Sequence, residues 1–266
     1  MEISTKAIHK QSYRLHSYEV DLRGVARPSM LLCFMLDSAW SHTKDTEFSY
    51  TELDYEGQFW VLSRFLAMFH DVPKWNDEIV VETWGKGTDN LFGLRDFIIY
   101  SQDRKKLVSA TSAWLIIDRK TQRVQRISSL GKNFPLQLHR DELDVKLRKI
   151  EMPNSKSKDF SRKNLIGEFT VRYSDLDVNK HVNSSKYLEW ILDSFPAAFH
   201  ETKSLKSFEI NFLSEGGIGD LVRVSFVQVD DSRVHDDIFY CDVRRTSDAV
   251  ELCRAKLIWN SVNHEQ

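Results

Sequence analysis

The sequence predicts an α+β protein with two similar halves, in which each half places one long helix on a curled antiparallel sheet. Each half reads as a strand, an apolar helix and then about four strands. The turns between those strands are too short for the crossover connections that parallel strands require. Short segments of the two halves can also be aligned with each other, which indicates an internal repeat.

The first half begins with a predicted strand at residues 13–21, followed by an apolar helix at 30–40 whose first turn suits Pro28. Residues 59–72 (FWVLSRFLAMFHDV) are apolar at both alternating sets of positions, which is typical of a strand covered on both faces. Arg64 interrupts this run, and a buried arginine needs a partner. Three further strands are predicted at residues 78–84, 93–101 and 108–118.

A charged linker at residues 136–163 is predicted to separate a first domain, 1–135, from a second domain, 164–266. The linker contains PNSKSKD near its end, which is typical of linkers, and residues 136–150 are predicted to form a polar helix outside the core. The second half then repeats the order of the first. Its helix follows Asn183, which is a good N-cap, and its strands are predicted near residues 208–213, 221–229, 237–244 and 250–259.

The composition indicates a globular protein without a strong electrostatic field. The 266 residues are 41% hydrophobic and 29% charged, with a formal net charge of −2, so no global field favours nucleic acid. The three cysteines, Cys33, Cys241 and Cys253, form no CxxC or Cys/His cluster, which argues against a zinc site and favours a reducing compartment. No metal and no other cofactor is expected.

The N-terminal residues contain no apolar core of a secretory signal. The most apolar run, residues 30–36, is far too short to span a bilayer. The sequence therefore predicts a soluble, cytoplasmic protein with no membrane insertion.

A run of polar residues before the second helix is the candidate for chemistry. Asp177, Asn179 and His181 stand at alternate positions in VRYSDLDVNKHVN, and in an extended segment such residues project from one face. The segment is therefore predicted to be a polar extended arm that enters the N-terminus of the helix, where unpaired N–H groups favour developing negative charge. The alternative is an ordinary turn or cap, in which the same residues hydrogen-bond to their own backbone.

The internal repeat bears on these two interpretations. MLDS in the first helix matches ILDS in the second, and the same shift in numbering places Asp21 on Asp177. It places Arg23 and Val25 where the amide and the imidazole stand in the second half. A device needed only for a turn would be required in both halves, so a triplet that survives in one half favours chemistry.

The run DLDVNKHVN…KYLEWILDS resembles the signature of acyl-acyl carrier protein (acyl-ACP) thioesterases, which are double hotdog proteins of bacteria and plant plastids. WVLSRF, PKWNDEIVVETW and SAWLIIDRKTQRVQRI resemble segments of the family's first domain. The resemblance implies two tandem hotdog domains and the hydrolysis of fatty acyl-ACP to free fatty acid and holo-ACP. Plant members carry a transit peptide and none is seen here, so a bacterial protein is expected.

The resemblance also implies the active-site residues. Asp177, Asn179 and His181 match the family motif residue for residue, and Glu215 in NFLSEGG matches a glutamate that the family uses at the end of a later strand. Either Glu215 or His181 would be the general base for a water molecule. Asn179 would position substrate or water, Asp177 would orient the network, and amides at the start of the helix would hold the oxyanion. Plant members carry a cysteine directly after the glutamate, whereas Gly216 stands here, which argues against a cysteine acyl-enzyme.

Two further sets of residues follow from this expected function. The first domain is expected to shape the pocket for the acyl chain, although large apolar residues also fill ordinary cores. The candidate wall residues are Phe59, Trp60, Phe65, Trp84, Phe92 and Trp114. The carrier protein is acidic, so docking is expected on a local basic surface. The candidates are Arg119, Lys120, Arg123 and Arg126 in one cluster, and Lys180, Lys186, Lys203 and Lys206 in another.

Three alternatives stay open at the level of sequence. An acyl-CoA thioesterase would use the same water chemistry with a different carrier. A non-catalytic hotdog module would bind acyl groups or a partner protein without releasing thiol. A hotdog dehydratase would need an acid beside the helix, for which Glu189 is the candidate. Because two hotdog domains are expected in one chain, a monomer and a homodimer are both compatible with the sequence.

Overall fold

The computed structural model describes residues 7–130, 140–153, 160–161, 166–229 and 236–261. These residues fall into two compact units that divide between Leu147 and Arg148, and we call them the first unit and the second unit. The predicted ends of the linker lie outside the described residues, so those boundaries stay predictions.

The first unit is an antiparallel sheet with one long helix. Its helices are α1 (Pro28–Thr43) and the short α2 (Tyr50–Tyr55). Its strands are β1 (His9–Arg14), β2 (Gln58–Phe69), β3 (Glu78–Asp89), β4 (Phe92–Ser101), β5 (Lys106–Asp118) and β6 (Val124–Gln125). The strands pair in the order β1-β3-β4-β5-β2, with β6 beside β5, and all these pairings are antiparallel.

Helix α1 begins near the predicted position, because Pro28 occupies its first turn and has no N–H that the helix would need to pair. Leu31, Leu32 and Met35 are buried along it and form its contribution to the core. The helix continues to Thr43, beyond the predicted end.

The predicted strand at residues 13–21 is wrong in its second part. Strand β1 ends at Arg14, and Ser17–Glu19 form a 3-10 helix. The Glu19 carboxylate accepts the backbone N–H of His16 at 2.7 Å, which closes this turn and stops the strand.

The second unit repeats this plan. Its helices are α3 (Ser184–Asp193) and the short α4 (Ala197–Thr202). Its strands are β7 (Phe160–Ser161), β8 (Ile166–Thr170), β9 (Lys203–Phe212), β10 (Leu221–Val229), β11 (Asp237–Arg245) and β12 (Glu251–Ser261). The order is β9-β12-β11-β10, with β7 and β8 both antiparallel to β10.

The core of the second unit lies between α3 and the sheet. Leu188 and Ile191 of α3 are fully buried. Phe195, just past the helix end, meets Phe226 and Phe239 edge-on, with ring centroids 4.8 and 5.0 Å apart. Both units therefore have the predicted hotdog fold, a helix packed on an antiparallel sheet.

The polar helix predicted at residues 136–150 is wrong for the part that the structure describes. Residues 140–153 contain no helix, and residues 136–139 lie outside the described chain. Side chains of each sheet bind the backbone of this segment instead.

Arginines on strands provide two of these bonds. In the first unit, Arg64 donates to the carbonyl of Leu147 at 2.7 Å and lies over the ring of Phe92 at 4.6 Å. In the second unit, Arg254 donates to the carbonyl of Ile150 at 2.8 Å. Backbone carbonyls that a helix would pair internally are thus paired by the sheets, and Arg64 has the partner that its position requires.

Candidate active site

The polar triplet lies on a tight turn, so the prediction of an extended arm is wrong. Leu176 and Val182 form an antiparallel bridge, and the N–H of Asp177 donates to the carbonyl of His181 at 2.8 Å. The chain reverses between them through Lys180, which has a φ of 66°. This left-handed conformation is uncommon for a residue with a side chain.

The carboxylate of Asp177 holds this turn together. Its Oδ1 accepts the backbone N–H of Asn179 at 2.8 Å and that of His181 at 3.3 Å. Asp177 therefore orients Asn179 and His181 through their backbone N–H groups.

The structure brings His181 and Glu215 into contact. Glu215 lies in the loop after β9, and its Oε2 is 3.1 Å from Nε2 of His181. The side chains are 39% and 49% exposed, so both are accessible to a substrate. The next residues along the chain are also joined, because the N–H of Val182 donates to the carbonyl of Gly216 at 3.1 Å. This bond holds the turn that carries His181 against the loop that carries Glu215.

The side-chain oxygen of Asn179 is buried, and it has no hydrogen-bond partner among the described residues. Buried amide oxygens in folded proteins are nearly always paired, and leaving one unpaired is costly. This oxygen is therefore available to a donor that is not part of the chain, such as a water molecule or a substrate group.

At the start of α3, one backbone N–H has no hydrogen-bond acceptor among the described residues. Asn183 caps the helix as predicted, since its Oδ1 accepts the N–H of Ser185 at 3.0 Å. Its carbonyl accepts the N–H of Lys186 at 2.9 Å. Within the described chain no hydrogen bond takes up the N–H of Ser184. The oxyanion site at the helix start stays a prediction, for which the N–H of Ser184 is an unpaired donor among the described residues.

The first unit contains the same turn without the same side chains. Asp21 Oδ1 accepts the N–H groups of Arg23 and Val25 at 2.8 and 3.3 Å, as Asp177 does in the second unit. Gly24, with a φ of 72°, takes the left-handed position. The Arg23 guanidinium pairs with the Asp21 carboxylate at 2.9 Å.

The loop that faces this turn is also shared. Ala26 N–H donates to the carbonyl of Pro73 at 2.8 Å, in the same arrangement as the bond between turn and loop in the second unit. Val25 and Val72 therefore occupy the positions of the imidazole and the carboxylate. The sequence alignment identified the first of these replacements; the second, Val72 in place of Glu215, is seen from the shared bond between turn and loop.

Comparison with known proteins identifies the family. The model of the acyl-ACP thioesterase N-terminal domain matches residues 6–129, and the model of the C-terminal domain matches residues 158–261. The chain belongs to the acyl-ACP thioesterase family.

Individual acyl-ACP thioesterases match over nearly the whole chain. A chloroplastic palmitoyl-ACP thioesterase of Arabidopsis thaliana is 27% identical over 96% of this chain and 64% of its own length. The chain spans 62–64% of the length of three such curated relatives. An acyl-ACP thioesterase structure from Bacteroides thetaiotaomicron has 26% identity and a TM-score of 0.76, covering 98% of this chain and all of that one. A 12:0-ACP thioesterase structure from Umbellularia californica shares the fold at 21% identity and a TM-score of 0.79, covering 97% and 95%.

The position after the glutamate, where plant members of the acyl-ACP thioesterase family carry cysteine, points into the packed interior. A Cβ built on Gly216 would lie 3.1 Å from both Tyr187 Oη and Val182 Cγ2. Cys241 and Cys253 are fully buried, and burial raises the pKa of both thiols. A protonated, inaccessible thiol is a poor nucleophile, so neither cysteine of the second unit is available for an acyl-enzyme.

The described residues hold no cluster of His, Cys, Asp and Glu that fits a metal ion. Among the same residues, no helix is both long and apolar enough to cross a membrane.

Half of the six candidate wall residues of the first unit are core. Phe59, Phe65 and Trp84 are buried. Trp60 and Trp114 are partly exposed and meet edge-on at 6.4 Å. A small pocket in this unit is lined by none of these five; its lining includes Arg64, Phe92, Leu94, Thr111, Ala113 and Leu147. Phe92 lines this pocket. The assignment of the wall residues stays a prediction.

The candidate docking residues differ in how they are engaged. Lys186 is held between Asp175 and Glu189, at 3.6 and 3.2 Å, and Lys203 and Lys206 form ion pairs with carboxylates of the same unit. Lys180 is exposed and makes no ion pair within the described chain. The exposed cations near β6 are Arg119, Lys120, Arg123 and Arg126, of which Arg119 pairs with Asp54 at 2.8 Å.

Glu189, the acid of the dehydratase alternative, is engaged by Lys186. The carboxylate that contacts His181 is Glu215. The geometry therefore gives no support to a dehydratase that uses Glu189.

Proposed function

We propose that this protein hydrolyses the thioester of fatty acyl-ACP by attack of a water molecule, which yields free fatty acid and holo-ACP. The observation that carries the proposal is the 3.1 Å contact between His181 and Glu215, on a turn that also carries the unpaired side-chain oxygen of Asn179. Membership of the acyl-ACP thioesterase family supports a thioester on a carrier protein as the substrate.

The pair provides the base that hydrolysis of a thioester needs. The carbonyl carbon is electrophilic and a thiolate leaves readily, so one activated water molecule is sufficient. Glu215 and His181 act together as general base and then general acid. The water proton passes to the pair as the bond from oxygen to carbon forms, and a proton reaches the sulfur as the bond from carbon to sulfur breaks.

The neighbouring groups hold the reactants. Asn179 Oδ1 accepts a hydrogen bond from the attacking water or from the substrate. The N–H of Ser184, at the start of α3, donates to the carbonyl oxygen as negative charge develops on it. Asp177 maintains the turn that presents Asn179 and His181.

The test is a thiol-release assay on acyl-ACP over a series of acyl chain lengths. We expect release by the wild type and loss of release in a folded His181→Ala variant. Full turnover in that variant would end the assignment. The same acyl groups on CoA test the acyl-CoA alternative, and saturable lipid binding without thiol release from any thioester would indicate a non-catalytic module.

We propose that the carrier protein docks on basic side chains that are exposed on the surface of this chain. Lys180 and the cluster near β6 meet this condition, whereas Lys186 is held by two carboxylates. An acidic carrier bound in this way should lose affinity as salt rises. We expect Lys180→Ala to raise KM for acyl-ACP and to weaken its salt dependence, with Lys206→Ala as control, because Lys206 is paired with Asp236.

We also propose a cytoplasmic protein that is a monomer or a homodimer, since both hotdog units lie in one chain. Light scattering separates the chain mass of 31.2 kDa from twice that mass. The proposed location rests on the sequence, whose three cysteines form no close pair and so favour a reducing compartment.

A further inference from the structure

Tyr187 of α3 reaches the loop that carries Glu215. Its side chain is buried, and its Oη accepts the backbone N–H of Gly216 at 3.1 Å. The ring meets Trp190 and Phe212 edge-on, with centroids 5.4 and 5.9 Å away. This packing fixes the position of the hydroxyl.

The bond acts on the peptide group that joins Glu215 to Gly216. The N–H of this peptide group is held by the helix through Tyr187, and the next carbonyl is held by the turn through Val182. Val182 directly follows His181, and Gly216 directly follows Glu215. These two bonds therefore fix the backbone next to both members of the pair.

The first unit provides a natural control for this bond. Its loop carries Pro73 at the position of Gly216, and its helix carries Leu31 at the position of Tyr187. The bond from turn to loop persists there at 2.8 Å. Proline has no N–H and leucine has no hydroxyl, so the bond from helix to loop has lost both partners.

The same unit has lost the pair itself, since valine stands at both positions. A bond needed only to hold the loop on the hotdog fold would be expected in both units. Its presence where the polar pair is present, and its absence where the pair is absent, links it to the pair.

We propose that Tyr187 is a positioning residue that holds Glu215 against His181, an inference that rests on the proposed hydrolase function. The loop packs closely against the hydroxyl at Gly216, where a Cβ would lie 3.1 Å from both Tyr187 Oη and Val182 Cγ2. Burial also raises the pKa of Tyr187, which keeps the phenol neutral.

The experiment combines Tyr187→Phe with Glu215→Gln in a double-mutant cycle. Tyr187→Phe should lower kcat about 10- to 100-fold with little change in KM, as misplaced catalytic groups do. In the Glu215→Gln background it should have almost no further effect on kcat, because it acts through Glu215. Equal losses in both backgrounds would overturn the proposal.

Tyr13→Phe is the matched control. Tyr13 is also a tyrosine bonded to a helix, since its hydroxyl contacts the Phe34 carbonyl and Asp37 of α1 at 3.1 and 2.8 Å. It should lower stability and leave kcat unchanged. If Tyr187→Phe does not fold, Gly216→Pro, which copies Pro73 of the first unit and removes the N–H, supplies the second variant and should lower kcat in the same way; unchanged kcat in folded Gly216→Pro would count against the proposal.

A readout without turnover separates this proposal from the hydrolase proposal. The imidazole ¹⁵N signals of His181, assigned by their loss in His181→Ala, should move in Glu215→Gln and move in the same direction in Tyr187→Phe. Signals that move in Glu215→Gln and stay fixed in Tyr187→Phe would refute the positioning role. A wild type that releases no thiol but shows both shifts would refute the hydrolase and leave the positioning of Glu215 standing.

Discussion

The turn at residues 21–25 and the turn at residues 177–181 have the same backbone and different chemistry. In both, an aspartate accepts two N–H groups at 2.8 and 3.3 Å. The first turn presents Arg23 and Val25, and the second presents an amide and an imidazole. The aspartate therefore belongs to the fold, and the difference in chemistry comes from the residues that it holds in place.

The largest expected effect comes from making the second turn resemble the first. His181→Val copies Val25 into the active position, and we expect thiol release to fall about 10³-fold because the general base pair is lost. The reverse change, Val25→His, should leave turnover unaltered. A His181→Val protein that is folded by circular dichroism and retains turnover would contradict the assignment.

A second change removes the ionisable carboxylate and keeps its shape. Glu215→Gln should lower kcat about 10²-fold, since the amide cannot take a proton from water. Glu189→Gln is the control on the same unit, because Glu189 contacts Lys186 and not His181. Equal losses of kcat in the two variants would show that kcat depends on negative charge near the helix and not on the contact between His181 and Glu215.

The paired aspartates test the division between fold and chemistry. Asp21→Ala and Asp177→Ala should each lower the free energy of unfolding by about 1 kcal/mol, since each loses two backbone bonds. Only Asp177→Ala should also lower kcat. Asp177→Asn keeps an oxygen acceptor and should restore most of the activity, and its failure to do so would give Asp177 a direct role.

The smallest effect on turnover is expected from a change that acts on stability in acid. Burial alone would raise the pKa of Glu82, but Lys10, Arg104 and Arg140 lie within 3.2 Å and lower it. The stabilisation is therefore complete above the ordinary value of 4.5 and is lost as the pH falls through the lowered pKa. Glu82→Gln should cost roughly 1–3 kcal/mol at pH 7.

Urea unfolding of the wild type and Glu82→Gln at neutral and at acid pH checks this prediction. The difference between the two should shrink as the pH falls below 4.5. A difference that stays constant over this range would show that packing, rather than the ionised carboxylate, is what the substitution removes.

The sequence predicted those parts of the molecule that depend on local pattern. Helix α3 and its cap at Asn183 follow from spacing and capping preference alone. The path of residues 140–153 does not, because it depends on bonds to side chains far away in sequence, such as Arg64. From the sequence alone, a polar run of that length fits a helix as well as it fits an extended segment, because the distant side chains that bind its backbone are not known.

The candidate site shows the same limit. The triplet was visible as a motif, but its turn depends on a left-handed Lys180, which no pattern marks. Glu215 was found through family resemblance, since a single glutamate in a loop has no signature of its own. Tyr187 was hidden because a tyrosine among apolar helix residues looks like core, and its bond to Gly216 spans 29 positions of the chain.

Because the two units share the backbone of the turn and its loop, the site of the second unit can be transplanted onto the first. The two units differ at Arg23, Val25, Leu31, Val72 and Pro73, whose counterparts form the candidate site of the second unit. Grafting Asn, His, Tyr, Glu and Gly onto these five positions would install the side chains of a second centre on an existing scaffold. Such a transplant measures how much of the rate resides in local geometry and how much in the surroundings that the graft leaves behind.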